Sequence, residues 1–255
     1  MKIYNRRFTT PVAALALSIL LIPVAALAQH GSDAQIQADA QKQLNGKRFS
    51  GIHVQVEGGV VHLTGQVDRY ADKADAEKKI QKMHAANVRD DISVAGSGSV
   101  SDEELAQKLG KALMYDRQGY GTQVFNSITL QVHDGVVTLG GVVYGPPDKE
   151  SALDLAKNTK GVRDVVDHIQ VAPVSPMDDR IRHSEERAIY GYPSLNRYAL
   201  NPAKTIRIVV VNGHVTLTGV VDNKGDRDVA GVRANSVPGV FSVQNDLQVE
   251  GQNEH

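Results

Sequence analysis

The chain has 255 residues with no cysteine and no tryptophan, and its 28 basic side chains nearly balance 29 acidic ones. The missing cysteines exclude disulfides, thiol catalysis, Cys-ligated zinc and iron–sulfur clusters. The even charge, with no basic stripe, excludes the electrostatic footprint of a nucleic-acid binder.

Residues 1–28 read as a signal peptide. Lys2, Arg6 and Arg7 give a positive start, Val12 to Val24 is mostly apolar, and Ala26-Leu27-Ala28 fits the small-x-small cleavage pattern. The residue after that cut is Gln29, so lipoprotein processing, which needs cysteine there, is excluded. Export to the periplasm is the expectation. It leaves 25 bases against 29 acids in the mature chain.

The first unit after the leader opens with an amphipathic helix that places Ile36, Ala40, Gln43 and Leu44 on one face. A hairpin follows: Ile52 to Val56, a turn at Gly58-Gly59, and a return through Val61 to Thr64. Alternation sends Val54, Val56, Val61 and Leu63 to one side and His53, Gln55, His62 and Thr64 to the other, so one face is buried. A second helix aligns Ala76, Ile80 and Met83, and Val88 to Val94 closes the unit as a strand. Gly96-Ser97-Gly98-Ser99 is a flexible linker.

The second unit repeats the order. Its first helix carries Leu105, Leu109, Ala112 and Leu113, with Ser101 and Glu104 as a capping box. Its hairpin turns at Asp134-Gly135, its second helix aligns Ala152, Ala156 and Thr159, and Val165 to Val171 is its closing strand. After the stiff Pro173 to Pro176 link, the third unit brings Ile181, Glu185, Ala188 and Ile189, then a turn at Asn212-Gly213. Ala230, Ala234 and Val237 share a helical face, and the closing strand is Val243 to Val249.

The hairpins also share their wording: GGVVHLTGQV, DGVVTLGGVV and NGHVTLTGVV, counted from Gly59, Gly135 and Gly213 at spacings of 76 and 78 residues. Such self-similarity marks a tandem array. The fold class is therefore α+β. It comprises three tandem α-β-β-α-β domains over 29–96, 100–173 and 176–250, each a three-stranded mixed sheet with two helices on one face. Gly59, Gly135 and Gly213 serve turn geometry. Gly65, Gly141 and Gly219 are expected at a tight exit from hairpin to second helix. They form no phosphate loop, because the Lys and Ser/Thr of a Walker sequence are missing.

The unit, with G-x-V-x-L-x-G after the turn and a closing P-G-V-x-x-V-x-N-x-L-x-V, resembles the BON domain. The third copy carries it best, from Gly213 to Gly219 and from Pro238 to Val249. The first is weakest at its end, where His84-Ala85-Ala86-Asn87-Val88 stands for the P-G-V segment. That family includes osmotically inducible and outer-membrane-associated periplasmic proteins of bacteria. The resemblance implies a non-enzymatic envelope protein with phospholipid binding as its activity.

No catalytic constellation, cofactor motif or metal site emerges. His53 and His62 could meet across the first hairpin, but the other copies have no matching pair. Asp90-Asp91, Asp178-Asp179 and Glu185-Glu186 read as solvated ends of elements. The distinctive feature is the insertion before the second and third hairpins. Tyr115, Arg117, Tyr120 and Phe125 lie in one, and Tyr190, Tyr192, Arg197 and Tyr198 in the other. Two readings stand. Tyr and Arg suit interfaces and the headgroup level of a membrane, making phospholipid headgroups or envelope proteins the expected partners. Alternatively the rings fold back and extend a small core.

Overall fold

The computed structural model describes residues 32–83, 87–96 and 98–251. The signal segment 1–28, the His84-Ala85-Ala86 stretch and Ser97 of the linker lie outside the described residues. The first unit comprises α1 (Asp33–Gln43), β1 (Ile52–Glu57), β2 (Val60–Val67), α2 (Tyr70–Gln81) and β3 (Asn87–Val94). In the second, α3 (Asp102–Tyr115), β4 (Ser127–His133), β5 (Val136–Val143) and α4 (Pro146–Asn158) precede a divided closing strand, β6 (Asp164–Asp167) and β7 (Gln170–Val171). The third has α5 (Pro176–Tyr190), the short α6 (Arg197–Leu200), β8 (Arg207–Val211), β9 (His214–Val221), α7 (Lys224–Asn235) and β10 (Ser242–Val249).

Each sheet is mixed. The hairpin strands pair antiparallel, and the closing strand runs parallel to the second of them, which is central. The register follows the alternation: Val54 faces Leu63, Val56 faces Val61, and Val210 faces Val215. Both central turn residues have positive φ: 58° and 79° at Gly58-Gly59, 49° and 72° at Asp134-Gly135, 52° and 78° at Asn212-Gly213. Those are type I′ turns, whose twist matches the strands.

The helices bury small faces on one side of each sheet. Ala76 and Ile80, Ala152 and Ala156, and Ala230 and Ala234 are fully buried, against Leu63, Leu139 and Leu217 of the central strands. A serine caps the first helix of each unit: the hydroxyls of Ser32, Ser101 and Ser175 accept from the amides of Gln35, Glu104 and Asp178. Near that cap an aspartate reaches over to the hairpin turn. Asp33 accepts from both glycine amides of its turn at 2.9 Å, and Asp102 from Asp134 and Gly135 at 2.7 and 2.8 Å. Asp178 does the same and is 1% exposed, so it is not the solvated helix start expected from sequence.

Two further expectations change. Gly65, Gly141 and Gly219 do not sit at an exit, since β2, β5 and β9 run two residues beyond them. Their φ values are 111°, 93° and 123°, and a Cβ would come 2.0, 2.1 and 2.5 Å from the carbonyl oxygens of Gly51, Ser127 and Thr205. Glycine is needed there because two backbones touch mid-sheet. The closing strand of the second unit is also interrupted. β6 and β7 pair with β5 in one register, Leu139 with Asp167 and Val142 with Gln170, and the 2.9 Å bond from the Ile169 amide to Asp167 between them recurs as Ile92 to Asp90 in the unbroken β3.

Candidate functional site

The insertions are organised by one repeated device. Seven residues after Gly65, Gly141 and Gly219 stand Asp72, Asp148 and Asp226, in the first turn of the second helix. Each pairs with an arginine from the segment before the hairpin: Arg48 with Asp72 at 3.7 Å, Arg117 with Asp148 at 3.2 Å, and Arg197 with Asp226. Each arginine also lies over an aromatic ring, at 4.5 Å from the Phe49 centroid, 4.0 Å from Tyr120 and 4.9 Å from Tyr198. Asp148 is 2% exposed and also accepts from Thr122 and Asn126. Neither Arg117 nor Arg197 is therefore a free cation awaiting an anionic surface.

The eight insertion residues divide. Tyr198 is 1% exposed; its hydroxyl donates to Asp226 at 2.7 Å and accepts the Asp222 amide at 2.8 Å. Tyr190 ends α5 half-buried, donating to the Ile206 carbonyl at 2.5 Å, and burial raises its pKa. Phe125 is buried. Tyr115, Tyr120 and Tyr192 are substantially exposed, as is the ion-paired Arg197 side chain, and Arg233 lies 5.5 Å over the Tyr192 ring. The core reading holds for Phe125, Tyr190 and Tyr198, and the three exposed tyrosines remain available to a partner.

Phe125 does not fill the core of its own unit. It joins the third unit's cluster with Ile181, Ile189 and Ile208, and its ring meets His183 edge-on at 5.6 Å and Tyr144 at 5.8 Å. Arg182 of α5 sits 5.2 Å over Tyr144, and Arg207 of β8 donates to the Gln123 carbonyl at 2.6 Å. Ser127 and Thr218 hydroxyls meet at 2.8 Å. The first junction is lighter: Tyr70 packs on the second unit's cluster, and Arg69 reaches Asn158 at 3.5 Å.

Between the second and third units lies a cleft of about 490 Å³. One wall is β4 with the end of α3. The other is the helix-free face of the third sheet, including Arg207, Thr218, Asp246 and Gln248. Burial lowers the pKa of Arg207.

Glu185 is the other unexpected group. It occupies the place of Ala40 and Leu109 on the first-helix face, 0% exposed, and neither carboxylate oxygen has a hydrogen-bond partner. Removal from water alone pushes its pKa up to about 8. His53 and His62 stand on the open face of the first sheet, opposite Thr64 and Gln55 rather than each other. Among the described residues, the one group spaced to hold a metal is Asp102, His133 and Asp134 at the surface, where Asp102 already holds its turn.

A family model described as BON domain matches residues 32–96, 101–173 and 194–251. The chain is 27% identical over 187 residues to osmotically-inducible protein Y of Escherichia coli (strain K12), covering 69% of this chain and 87% of that one. Among solved structures, the C-terminal domain of CdsD, a structural protein of the type III secretion system of Chlamydia trachomatis, aligns at 13% identity. That alignment covers 84% of this chain and 96% of the other, and its TM-score of 0.24 is too low to carry an argument.

Proposed function

From the chain's membership of the BON domain family, whose model matches all three of its units, we propose a non-catalytic periplasmic protein that supports the cell envelope under osmotic stress. The observation that carries this reading is the tandem BON array together with likeness to an osmotically inducible relative over 69% of the chain. The partner is the phospholipid surface of the envelope. Tyr115, Tyr120 and Tyr192 are the insertion residues able to touch it, since Phe125 and Tyr198 are buried and the arginines are paired. Amphipathic rings without free cations favour headgroup-depth contact that is weak and little affected by salt.

Co-sedimentation of residues 29–255 with anionic and with zwitterionic liposomes tests this. Binding that falls when Tyr115, Tyr120 and Tyr192 become Ser supports it; no binding to either liposome overturns it. A second reading, a protein-binding adaptor, is favoured by the way the second unit's insertion seats Phe125 in its neighbour's core. A surface built to join unit to unit within the chain can do so with a partner. Recovery of a defined envelope protein by crosslinking, without liposome binding, selects that reading.

A further inference from the structure

We propose that the cleft between the second and third units binds a small oxyanion, a carboxylate or phosphate group, with Arg207 as its anchor. The cation belongs to this cleft alone: at the same hairpin position the first unit has His53 and the second Thr129. The Arg207 side chain is half-buried. One terminal nitrogen donates to the Gln123 carbonyl, and among the described residues the guanidinium makes no ion pair. Arg117 and Arg182, which are also withdrawn from water, are paired with Asp148 and Asp179. A partly desolvated cation without a counter-charge is costly, and an anion seated beside it removes that cost. With Nη1 on the Gln123 carbonyl, the Nε–Nη2 edge of the guanidinium suits a bidentate oxyanion.

The cleft limits what fits. Its 490 Å³ lies within the roughly 300–1,000 Å³ of ligand sites, enough for a small molecule. Thr129, Thr205 and Gln248 contribute neutral polar walls, while Asp116 and Asp246 also line it. Those two acids disfavour a polyanion and favour a singly anionic group on a body with hydroxyl or ammonium donors. A free anion and a lipid headgroup share this chemistry.

The test is an NMR titration of the protein as the cell makes it with sodium phosphate and with sodium acetate, at ionic strength held constant with chloride. Saturable shifts at Thr129, Thr205 and Gln248 are expected, weakened at least tenfold in Arg207→Gln and less in Arg207→Lys, with exposed Arg89→Gln unchanged. Vesicles of phosphatidylglycerol and of phosphatidylcholine form the second arm. Displacement of phosphate by phosphatidylglycerol identifies the anion as a headgroup, and phosphate binding undisturbed by vesicles identifies a free ion; both uphold the cleft. Should Arg207→Gln fail to fold, the wild-type shifts decide by their location. Shifts scattered over surface lysines, no saturable shift with either anion, or shifts undiminished in Arg207→Gln overturn the proposal. Vesicle binding that ignores Arg207 leaves the lipid reading standing without this site.

Discussion

Asp178 holds the hairpin turn of the third unit through the backbone of Gly213: Oδ1 accepts the Gly213 amide at 2.8 Å, and Oδ2 accepts that of Asn212 at 2.9 Å. The two N–H groups at the tip of a type I′ turn point outward, and one carboxylate satisfies both. Helix and hairpin are thereby fixed to each other before any apolar contact is counted.

Asp178→Ala should cost the third unit about 2–4 kcal/mol, because two charge-assisted bonds go and buried amides lose their partner. Asp33→Ala should cost less, since its carboxylate and turn are exposed. Urea midpoints of the two variants check the ranking. Equal effects would mean that burial does not set the strength of this contact.

Phe125→Ala should destabilise the third unit by about 3–5 kcal/mol, the range for emptying a buried aromatic site, although the residue belongs to the second. Amide hydrogen exchange reads this unit by unit. Protection should fall first in β8 and α5 and remain in β1 and β2. Loss confined to the second unit would contradict the shared core.

Glu185 makes stability depend on pH in a definite direction. Its folded pKa of about 8 exceeds the unfolded value near 4.5, so the folded state holds the proton more tightly. The stability is fully present below about pH 4.5, falls as pH rises, and the whole penalty is in force above about 8. At about 1.4 kcal/mol per pKa unit the loss amounts to several kcal/mol. Glu185→Leu, matching Leu109 of the second unit, should remove this slope and gain stability at pH 8. The difference between wild-type and variant unfolding free energies from pH 5 to 9 checks it; a flat difference would show that the carboxylate finds water or a partner.

Tyr198→Phe should lower stability by about 1–3 kcal/mol, leaving the Asp222 amide without its acceptor and Asp226 with one donor fewer beside Arg197 and Asn223. Tyr120→Ser, at a residue 69% exposed, should stay within about 0.5 kcal/mol. Thermal melts separate the two. A large effect at Tyr120 would mean that its stacking with Arg117 contributes to the fold.

Much of the fold was legible. Turn dipeptides, alternating strands and alanine-lined helices are local signals, and three copies multiply each of them. The turn-holding aspartates were legible too, once aligned: Asp33, Asp102 and Asp178 each stand three positions before the aligned apolar residue that begins the buried face of their helix, Ile36, Leu105 and Ile181. So were Asp72, Asp148 and Asp226, each seven residues after a strand glycine. Leaving those three acids without a role hid the partners of Arg117 and Arg197, and with them the neutrality of the insertions. The destination of Phe125 had no sequence signal. Phe49 holds the same place, three residues before the hairpin, and packs into its own unit. Which core a ring enters is decided by how the next unit docks, and composition does not report that.

The exchange of Phe125 gives the array a polarity. The same short turn keeps its ring at home in the first unit, lends it to the neighbour in the second, and carries Ala203 in the third. A chain with the last two units permuted would expose Phe125 and empty a site beside α5, so the repeats have ceased to be interchangeable modules. Duplication could still lengthen the protein at its lighter first junction. Between the second and third units a new copy has no entry without breaking a core, and whatever the cleft there does must be inherited as a pair.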